Sequence, residues 1–471
     1  MSLPSLEDIR SVYFIGIGGI GMSAIARYFH ARGVQVSGYD KTPTVLTREL
    51  EEEGVSVHYH EDVALAPKEV DFVVYTPAVP AEHAELVFYR ENGYAVVKRS
   101  DVLQVITEGS VNICVAGTHG KTTITTMIAH LLRHSGYGCT AFLGGISANY
   151  GTNYWSTGDS NACVVEADEY DRSFLKLSPN VAVISAMDPD HLDIYGDEKT
   201  MQDAFVAFGN GIRPGGLLVS KFGLGRIKEI GASNKLTYSL QNDSASVYAS
   251  DIRTELGGYH FNVHLPKRVL TGLKLNVGGM HNVENAVVAI AVAHHLDIDE
   301  EAIRAAIAAF RGVKRRFEYI IAPQEQVPGG YVQPVFIDDY AHHPEELRAL
   351  LKSTRHLLPQ RKITVVFQPH LYTRTRDLAD GFADSLSIAD EVILLPIYPA
   401  RELPIEGVSS ELILQKINRE QKRIVAKEEL LDWMKNHVQG LNKEFGEVII
   451  TAGAGDIDTL VPQLKEIIMN A

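Results

Sequence analysis

The chain has 471 residues, 45% of them hydrophobic and 22% charged, with a formal net charge of −15. That length fits about three domains at roughly 150 residues each, and the composition is that of a folded globular protein rather than a disordered or fibrous one. The acidic balance argues against sequence-independent binding to nucleic acid or anionic membrane, so an anionic ligand must meet a local basic site.

The first segment opens with an apolar strand over Val12 to Ile17, a glycine-rich turn, a helix over Ile20 to Ala31 and a second strand over Val34 to Tyr39. Gly16, Gly18 and Gly21 fit GxGxxG between strand and helix, and Asp40 ends the second strand, as in a dinucleotide fingerprint. Alone this reads as a dehydrogenase. Its physical content is broader, because a tight turn lets backbone N–H groups approach any nucleotide diphosphate at a helix N-terminus. A further strand, Phe72 to Tyr75, stops at Thr76-Pro77-Ala78-Val79-Pro80 and leaves a loop where ligands of open α/β sheets gather.

The same order of strand, glycine turn and helix returns at Val111 to Ala116, running into Gly117-Thr118-His119-Gly120-Lys121-Thr122-Thr123 and a helix that ends near His134. Here Lys121 can reach the β- and γ-phosphates and the Thr122 hydroxyl can ligate Mg²⁺. The first glycine of the full P-loop pattern would fall on Val115, so the loop is a shorter form. Strands Ala162 to Glu166 and Val181 to Ala186 lead into Glu166-Ala167-Asp168-Glu169-Tyr170-Asp171 and Asp188-Pro189-Asp190-His191, acidic loops that can converge beside the phosphates. His191 reads equally as a hydrogen-bonding loop histidine, since Mg²⁺ prefers oxygen ligands. Cys114, Cys139 and Cys163 are odd in number and lack metal-ligand spacing, so they are expected to be buried small residues. After Gly215 the strands shorten and alternate. His281-Asn282-Val283-Glu284-Asn285 opens the apolar helix Ala286 to His295, with Asn282 a reasonable cap.

Arg315-Arg316-Phe317-Glu318 marks a boundary, where paired arginines either meet a nucleotide or face solvent. A third start, Val335 to Ile337, leads to Asp338-Asp339-Tyr340-Ala341-His342-His343-Pro344 and a helix from Glu345. Strands over Ile363 to Phe367, Val392 to Leu395 and Val448 to Thr451 alternate with helices, which describes a mostly parallel sheet. His370, Tyr372, Arg374 and Arg376 follow one of these strands, so carboxylate, imidazole and guanidinium groups share a face fit to hold an amino acid. No nucleophile elbow precedes these histidines, so a hydrolase triad is not supported. Three α/β units in series is the expected architecture. No apolar run reaches the roughly 18 residues of a membrane span, and the N-terminus lacks a signal-peptide layout; a cytoplasmic protein without membrane insertion is expected.

In order, GIGGIGMS, GTHGKTT, EADEYDRSF, HLDIYG, HNVENA, RRFE, DDYAHHP and QPHLYTRT resemble the Mur ligase family across nearly the whole length. The resemblance implies a Rossmann-like domain over 1–108 that binds UDP-N-acetylmuramate, a central ATP-binding P-loop domain over 109–313, and a Rossmann-like amino-acid domain over 314–471 that closes over ATP. Gly18, Gly19, Ile20, Gly21, Asp40 and the loop Thr76, Pro77 and Ala78 would contact the UDP-sugar. Gly117, Thr118, His119, Gly120, Lys121, Thr122 and Thr123 would hold the ATP phosphates, with Thr122, Glu166 and His191 as metal ligands. His281, Asn282 and Asn285 would lie on the adenine side, Arg316 on the γ-phosphate and Asp339 on the ribose. Tyr340, His342, His343, His370, Tyr372 and Arg374 would line an L-alanine site. Within these, Lys121, Glu166, His191, Arg316 and His343 are the expected catalytic set. This chain has Leu371 where many relatives carry arginine, a departure that bears on one carboxylate contact for the amino acid.

The implied chemistry is ligation of L-alanine to the lactyl carboxylate by a monomer or homodimer, with ATP and Mg²⁺; Mn²⁺ is not separable from Mg²⁺ by sequence. Carboxylate and γ-phosphate are both anionic, so two metal ions, Lys121 and Arg316 are needed to neutralise them before in-line transfer gives an acyl phosphate. An unassigned base then frees the amine for attack. The rival within the family is a recycling ligase that adds a murein tripeptide; its relatives usually carry GxCGTFMG at the first turn, unlike Gly18-Gly19-Ile20-Gly21-Met22 here. An NAD-dependent dehydrogenase would leave Lys121, Glu166 and His191 idle, and a non-catalytic nucleotide sensor would leave the third-domain cluster unexplained.

Overall fold

A computed structural model describes residues 5–157, 159–170, 172–188, 192–324, 332–400, 402–441 and 444–470. It divides into two compact units, one holding residues 1–249, 263–270 and 284–307, the other 250–262, 271–283 and 308–471. Among the described residues no helix is long and apolar enough to cross a membrane.

The first unit contains two sheets. In the first, Ser56–His58, Gln35–Tyr39, Ser11–Ile15, Phe72–Tyr75 and Val96–Lys98 lie in that spatial order, all parallel. The chain order reverses between Ser11–Ile15 and Phe72–Tyr75, and ligand crevices open at such a reversal. The opening strand stops at Ile15 rather than Ile17. Gly16 turns the chain at φ 86°, and the N–H groups of Gly16 and Ile17 both donate to the Tyr39 carbonyl at 2.8 and 3.0 Å.

The second sheet repeats the device. Val111–Ala116 sits between Val181–Ile184 and Ala162–Glu166, parallel to both, with Ala116 level with Ile184 and Val115 with Glu166. Apart from Asn112 and the terminal Glu166 these strands are runs of Val, Ile, Ala and Cys, nearly all buried, as parallel sheets require. Val181–Ile184 is shorter than expected; beyond it Ser185 N–H still donates to the Ala116 carbonyl at 3.0 Å, and its hydroxyl donates to the carbonyls of His119 and Ala116. Cys114, Cys139 and Cys163 are buried and free.

One apolar core runs through this unit from Phe14, Phe29 and Phe72 to Phe174, Phe205 and Phe208. A buried polar clamp adds register. Arg27 Nη1 donates to Asn153 Oδ1 at 2.6 Å, and Asn153 Nδ2 donates to the Ile20 carbonyl at 2.6 Å. The helix after the first glycine turn is thus tied to the second sheet.

In the second unit the strands Glu318–Ile321, Val335–Asp339, Glu447–Ala452, Lys362–Phe367, Glu391–Leu394 and Lys422–Ile424 form one sheet in that order, parallel except for the first. The last strand of the chain therefore lies between the two that carry the candidate residues. Asp339, Ala452 and Phe367 end level with one another. The helix expected from Ala286 begins at Met280 instead. Asn282 is inside it and not a cap; its Nδ2 donates to the Gly278 carbonyl at 2.6 Å.

Candidate active site

The first glycine turn is braced by a carboxylate. Asp40 Oδ2 accepts from Gly18 N–H at 2.8 Å, and a β-carbon at Gly18 would stand 2.8 Å from that same oxygen. Asp40 therefore shapes the turn through the backbone, and its Oδ1 accepts from Thr42 N–H at 3.2 Å. Gly19, Ile20 and Gly21 then open the helix Ile20–His30 toward a pocket of about 340 Å³.

That pocket joins the two sheets of the first unit. It is walled by the first turn, by Thr76, Pro77 and Ala78, and by Glu166 and Asp168 of the acidic loop. Arg99, which sequence reasoning missed, also faces it. Arg99 opens the helix Arg99–Thr107 directly after the strand Val96–Lys98, and its Nη2 lies 3.9 Å from Asp168 Oδ2. A basic residue at a strand's carboxyl end was the signal that could have found it.

The second turn presents different groups. Gly120 adopts φ 83° and opens the helix Lys121–His134, whose free N–H groups favour an anion. Thr118 Oγ1 accepts from Asp188 N–H at 3.2 Å, while the exposed His119 ring lies 3.7 Å from Asp188 Oδ2. Thr122 and Thr123 are buried. Lys121 Nζ donates to the Gly117 carbonyl at 2.9 Å and to Glu169 Oε1 at 2.7 Å. Asn285 Oδ1 would be 3.3 Å from a β-carbon at Gly120, so Asn285 borders the loop.

Thr122 Oγ1 donates to Glu166 Oε1 at 3.2 Å. Gly144 gives that carboxylate its room, because a β-carbon there would overlap both its oxygens. A hydroxyl and a carboxylate beside a phosphate loop are hard oxygen donors, a set that fits a magnesium-type cation. His191, the third expected ligand, lies outside the described residues.

In the second unit the adjacent acids part company. Asp338 is buried, accepts from Thr451 Oγ1 at 2.6 Å and lies 3.4 Å from Arg315 Nε; burial lifts its pKa to about 6 against the pull of Arg315. Asp339 accepts from the N–H groups of Phe317 and Ala341 at 2.6 and 2.7 Å, and burial likewise lifts it to about 6. The two arginines also differ. Arg315 is tied to Asp338, to Asp458 at 3.1 Å and to the Gly453 carbonyl, whereas Arg316 is exposed.

His342 and His343 both donate backbone N–H to Glu346 Oε2, at 2.8 and 3.0 Å. The His342 ring stands 6.1 Å from that of His370, which stacks on Tyr398 at 5.8 Å. Tyr340 packs its ring 5.1 Å from His342. Tyr372 opens the helix Tyr372–Asp377, and Arg374 Nη1 approaches His370 Nδ1 at 3.4 Å. Burial, then Arg374, lowers the His370 pKa. Arg315, Phe317 and Leu371 all hold positive φ, at 61°, 49° and 72°, strain of the kind that gathers at functional sites. His281 lies against Gly279 in the same unit as Asn282.

The comparisons agree with this geometry. Three family models match: "Mur ligase family, catalytic domain" over residues 11–110, "Mur ligase middle domain" over 115–293 and "Mur ligase, glutamate ligase domain" over 315–455. A UDP-N-acetylmuramate--L-alanine ligase of Porphyromonas gingivalis is 48% identical over 464 residues, covering 97% of this chain and 99% of that protein. A solved UDP-N-acetylmuramate-alanine ligase of Thermotoga maritima superposes with TM-score 0.79 at 28% identity, covering 98% and 99% of the two chains. A murein peptide ligase of Psychrobacter arcticus shares the fold, with TM-score 0.65 at 22% identity over 98% of this chain and 99% of that one. With strands, turns and acidic loop in place and near-full-length relatives at this identity, the chain belongs to the Mur ligase family, the ATP-dependent ligases of acids with amino acids that work with a divalent metal ion.

Proposed function

We propose that this protein joins L-alanine to the lactyl carboxylate of UDP-N-acetylmuramate through an acyl phosphate, giving UDP-N-acetylmuramoyl-L-alanine, ADP and phosphate. The observation that carries this reading is the shared pocket, where the first glycine turn and Glu166 line one space. A nucleotide sugar seated on the first turn can there direct its carboxylate toward a phosphate held by the second. Magnesium, with manganese as the alternative, would be held by Thr122, Glu166 and His191, and would neutralise charge on the phosphates and on the attacking carboxylate.

The remaining work falls to the chain's own groups. Gly117 to Thr123 orient the triphosphate, and Lys121 stabilises charge that grows on the transferring phosphoryl group. Arg316 is exposed, whereas Arg315 is tied to Asp338, Asp458 and the Gly453 carbonyl, which favours Arg316 to meet the γ-phosphate. Asp339 would take the ribose, and His281, Asn282 and Asn285 the adenine side. Tyr340, His342, His343, His370, Tyr372 and Arg374 would hold L-alanine, with domains at 1–108, 109–313 and 314–471 and a cytoplasmic setting.

The test is phosphate release from ATP and Mg²⁺ with UDP-N-acetylmuramate, with and without L-alanine, together with product mass. Release that needs both substrates and yields the alanyl adduct supports the reading. Turnover with a murein tripeptide but none with L-alanine would overturn it in favour of the recycling reaction.

A further inference from the structure

The acidic loop holds a second carboxylate that the reaction as derived does not use. Glu169 has no exposed side-chain surface, yet its Oε1 lies 2.7 Å from Lys121 Nζ. Its backbone carbonyl accepts from Tyr195 Oη at 2.6 Å, which fixes the loop at that point. Lys121 donates its other ordered bond to the Gly117 carbonyl at 2.9 Å. An ammonium has three N–H groups, so the protein engages two and leaves one for a phosphate oxygen.

Lysine is a point charge on a flexible four-carbon stem, and nothing in its own shape fixes where the charge sits. A buried carboxylate beside a phosphate loop is itself unfavourable, being desolvated and repelled by the incoming triphosphate. Glu169 Oε2 is buried with no hydrogen-bond partner among the described residues, and burial raises the carboxyl pKa despite Lys121. Such a group calls for a compensating task.

We infer that Glu169 is a positioning residue: it holds the Lys121 ammonium against the loop carbonyl so that the remaining N–H faces the phosphates, favouring transfer over tight binding of ATP. This rests on the reading of Lys121 as the phosphate-contacting lysine of an ATP-dependent ligase. Because Glu169 acts through Lys121, removing it should slow transfer without weakening nucleotide binding. A merely structural glutamate would lower stability and ATP affinity together.

The experiment uses the full chain with Glu169→Gln, Glu169→Asp, Lys121→Met and the double variant Lys121→Met/Glu169→Gln. Readouts are kcat, the dissociation constant of ATP with Mg²⁺ by calorimetry, and thermal unfolding. Glu169→Gln should lower kcat by about 10- to 100-fold, the scale of misplacing a reacting group by an ångström, with ATP bound as tightly as in wild type or tighter. Glu169→Asp should recover part of the rate. In the Lys121→Met background, Glu169→Gln should cost nothing more, since coupled residues are not additive.

A full further loss of rate in that background would overturn the inference, as would ATP affinity that falls while kcat holds. If Glu169→Gln does not fold, the comparison of Lys121→Met with the double variant, which leaves no uncompensated buried charge, still decides. The binding arm needs neither UDP-N-acetylmuramate nor L-alanine. A wild-type protein that binds ATP but forms no alanyl adduct would therefore sink the L-alanine reading, while a fall in ATP affinity on Glu169→Gln would still count against the role given to Glu169.

Discussion

The two glycine turns of the first unit share a backbone plan and differ in what stands beside them. Each follows a buried parallel strand, sits where the strand order reverses and opens a helix. Around the first, a carboxylate faces inward, Asp40 accepting from Gly18 N–H at 2.8 Å. Around the second, Lys121 and Thr122 follow the turn and Glu166 faces Thr122 at 3.2 Å. The glycines therefore report only that a phosphate-sized group can approach, while neighbouring side chains decide which substrate and what chemistry. A fingerprint usually read as a dinucleotide site lines one wall of a pocket that it shares with Glu166.

The sharpest way to break this contrast is Lys121→Ala. It should lower turnover by about 10²- to 10³-fold, as loss of a transition-state donor does, and should also lower the urea midpoint, because buried Glu169 loses its counter-ion. Activity near wild type would remove the second turn from the chemistry. Next comes Gly144→Ala, which crowds both carboxylate oxygens of Glu166 while leaving every expected ligand residue in place. A metal requirement raised about 10- to 100-fold, the scale seen when a ligand loses its support, is expected from a titration of activity against Mg²⁺. An unchanged titration would mean that Glu166 does not hold the ion.

Asp40→Ala tests the other turn. Loss of a charged acceptor for one backbone N–H should cost about 1.5–3 kcal/mol, read as a raised KM for UDP-N-acetylmuramate with ATP affinity intact. A rise in both would blur the division of labour between the turns.

The remaining test lies in the second unit. The Asp338 pKa stands at about 6 in the folded protein, above about 3.9 for an unfolded aspartate. Between those values the folded state binds the proton and the unfolded state does not, so this group's contribution falls as pH rises, by at most about 1.4 kcal/mol per unit. Asp338→Asn should therefore gain stability relative to wild type on going from pH 4 to pH 7, measured as the difference in urea midpoints. A constant difference would refute the shift.

Most of the fold was legible because its strands are short apolar runs ended by glycine, proline or acid, and Val111–Ala116 and Phe72–Tyr75 fell where their residues said. Strand ends were less so: Gly16 turns at positive φ and the Ser185 hydroxyl bonds the His119 carbonyl, contacts set by conformation and by residues distant in sequence. The order of the third sheet was hidden for the same reason, since only tertiary pairing places Glu447–Ala452 between its two candidate-bearing neighbours. Within the candidate site, Lys121 and Thr122 marked the second turn in the sequence, and the structure sets them against Glu169 and Glu166. Sequence spacing gave no means to separate the surroundings of Glu166 from those of Glu169, or of Arg315 from Arg316. Those distinctions depend on burial and on partners such as Asp458 and Gly453.

The most direct test of a carboxylate meeting a γ-phosphate in the shared pocket follows oxygen atoms. UDP-N-acetylmuramate labelled with ¹⁸O in its lactyl carboxylate would be turned over with ATP and L-alanine, and the released phosphate weighed. One labelled oxygen per phosphate is the expected result, because the carboxylate oxygen that attacks phosphorus leaves with it when the amine displaces the acyl phosphate. Alanyl product accompanied by unlabelled phosphate would contradict the account.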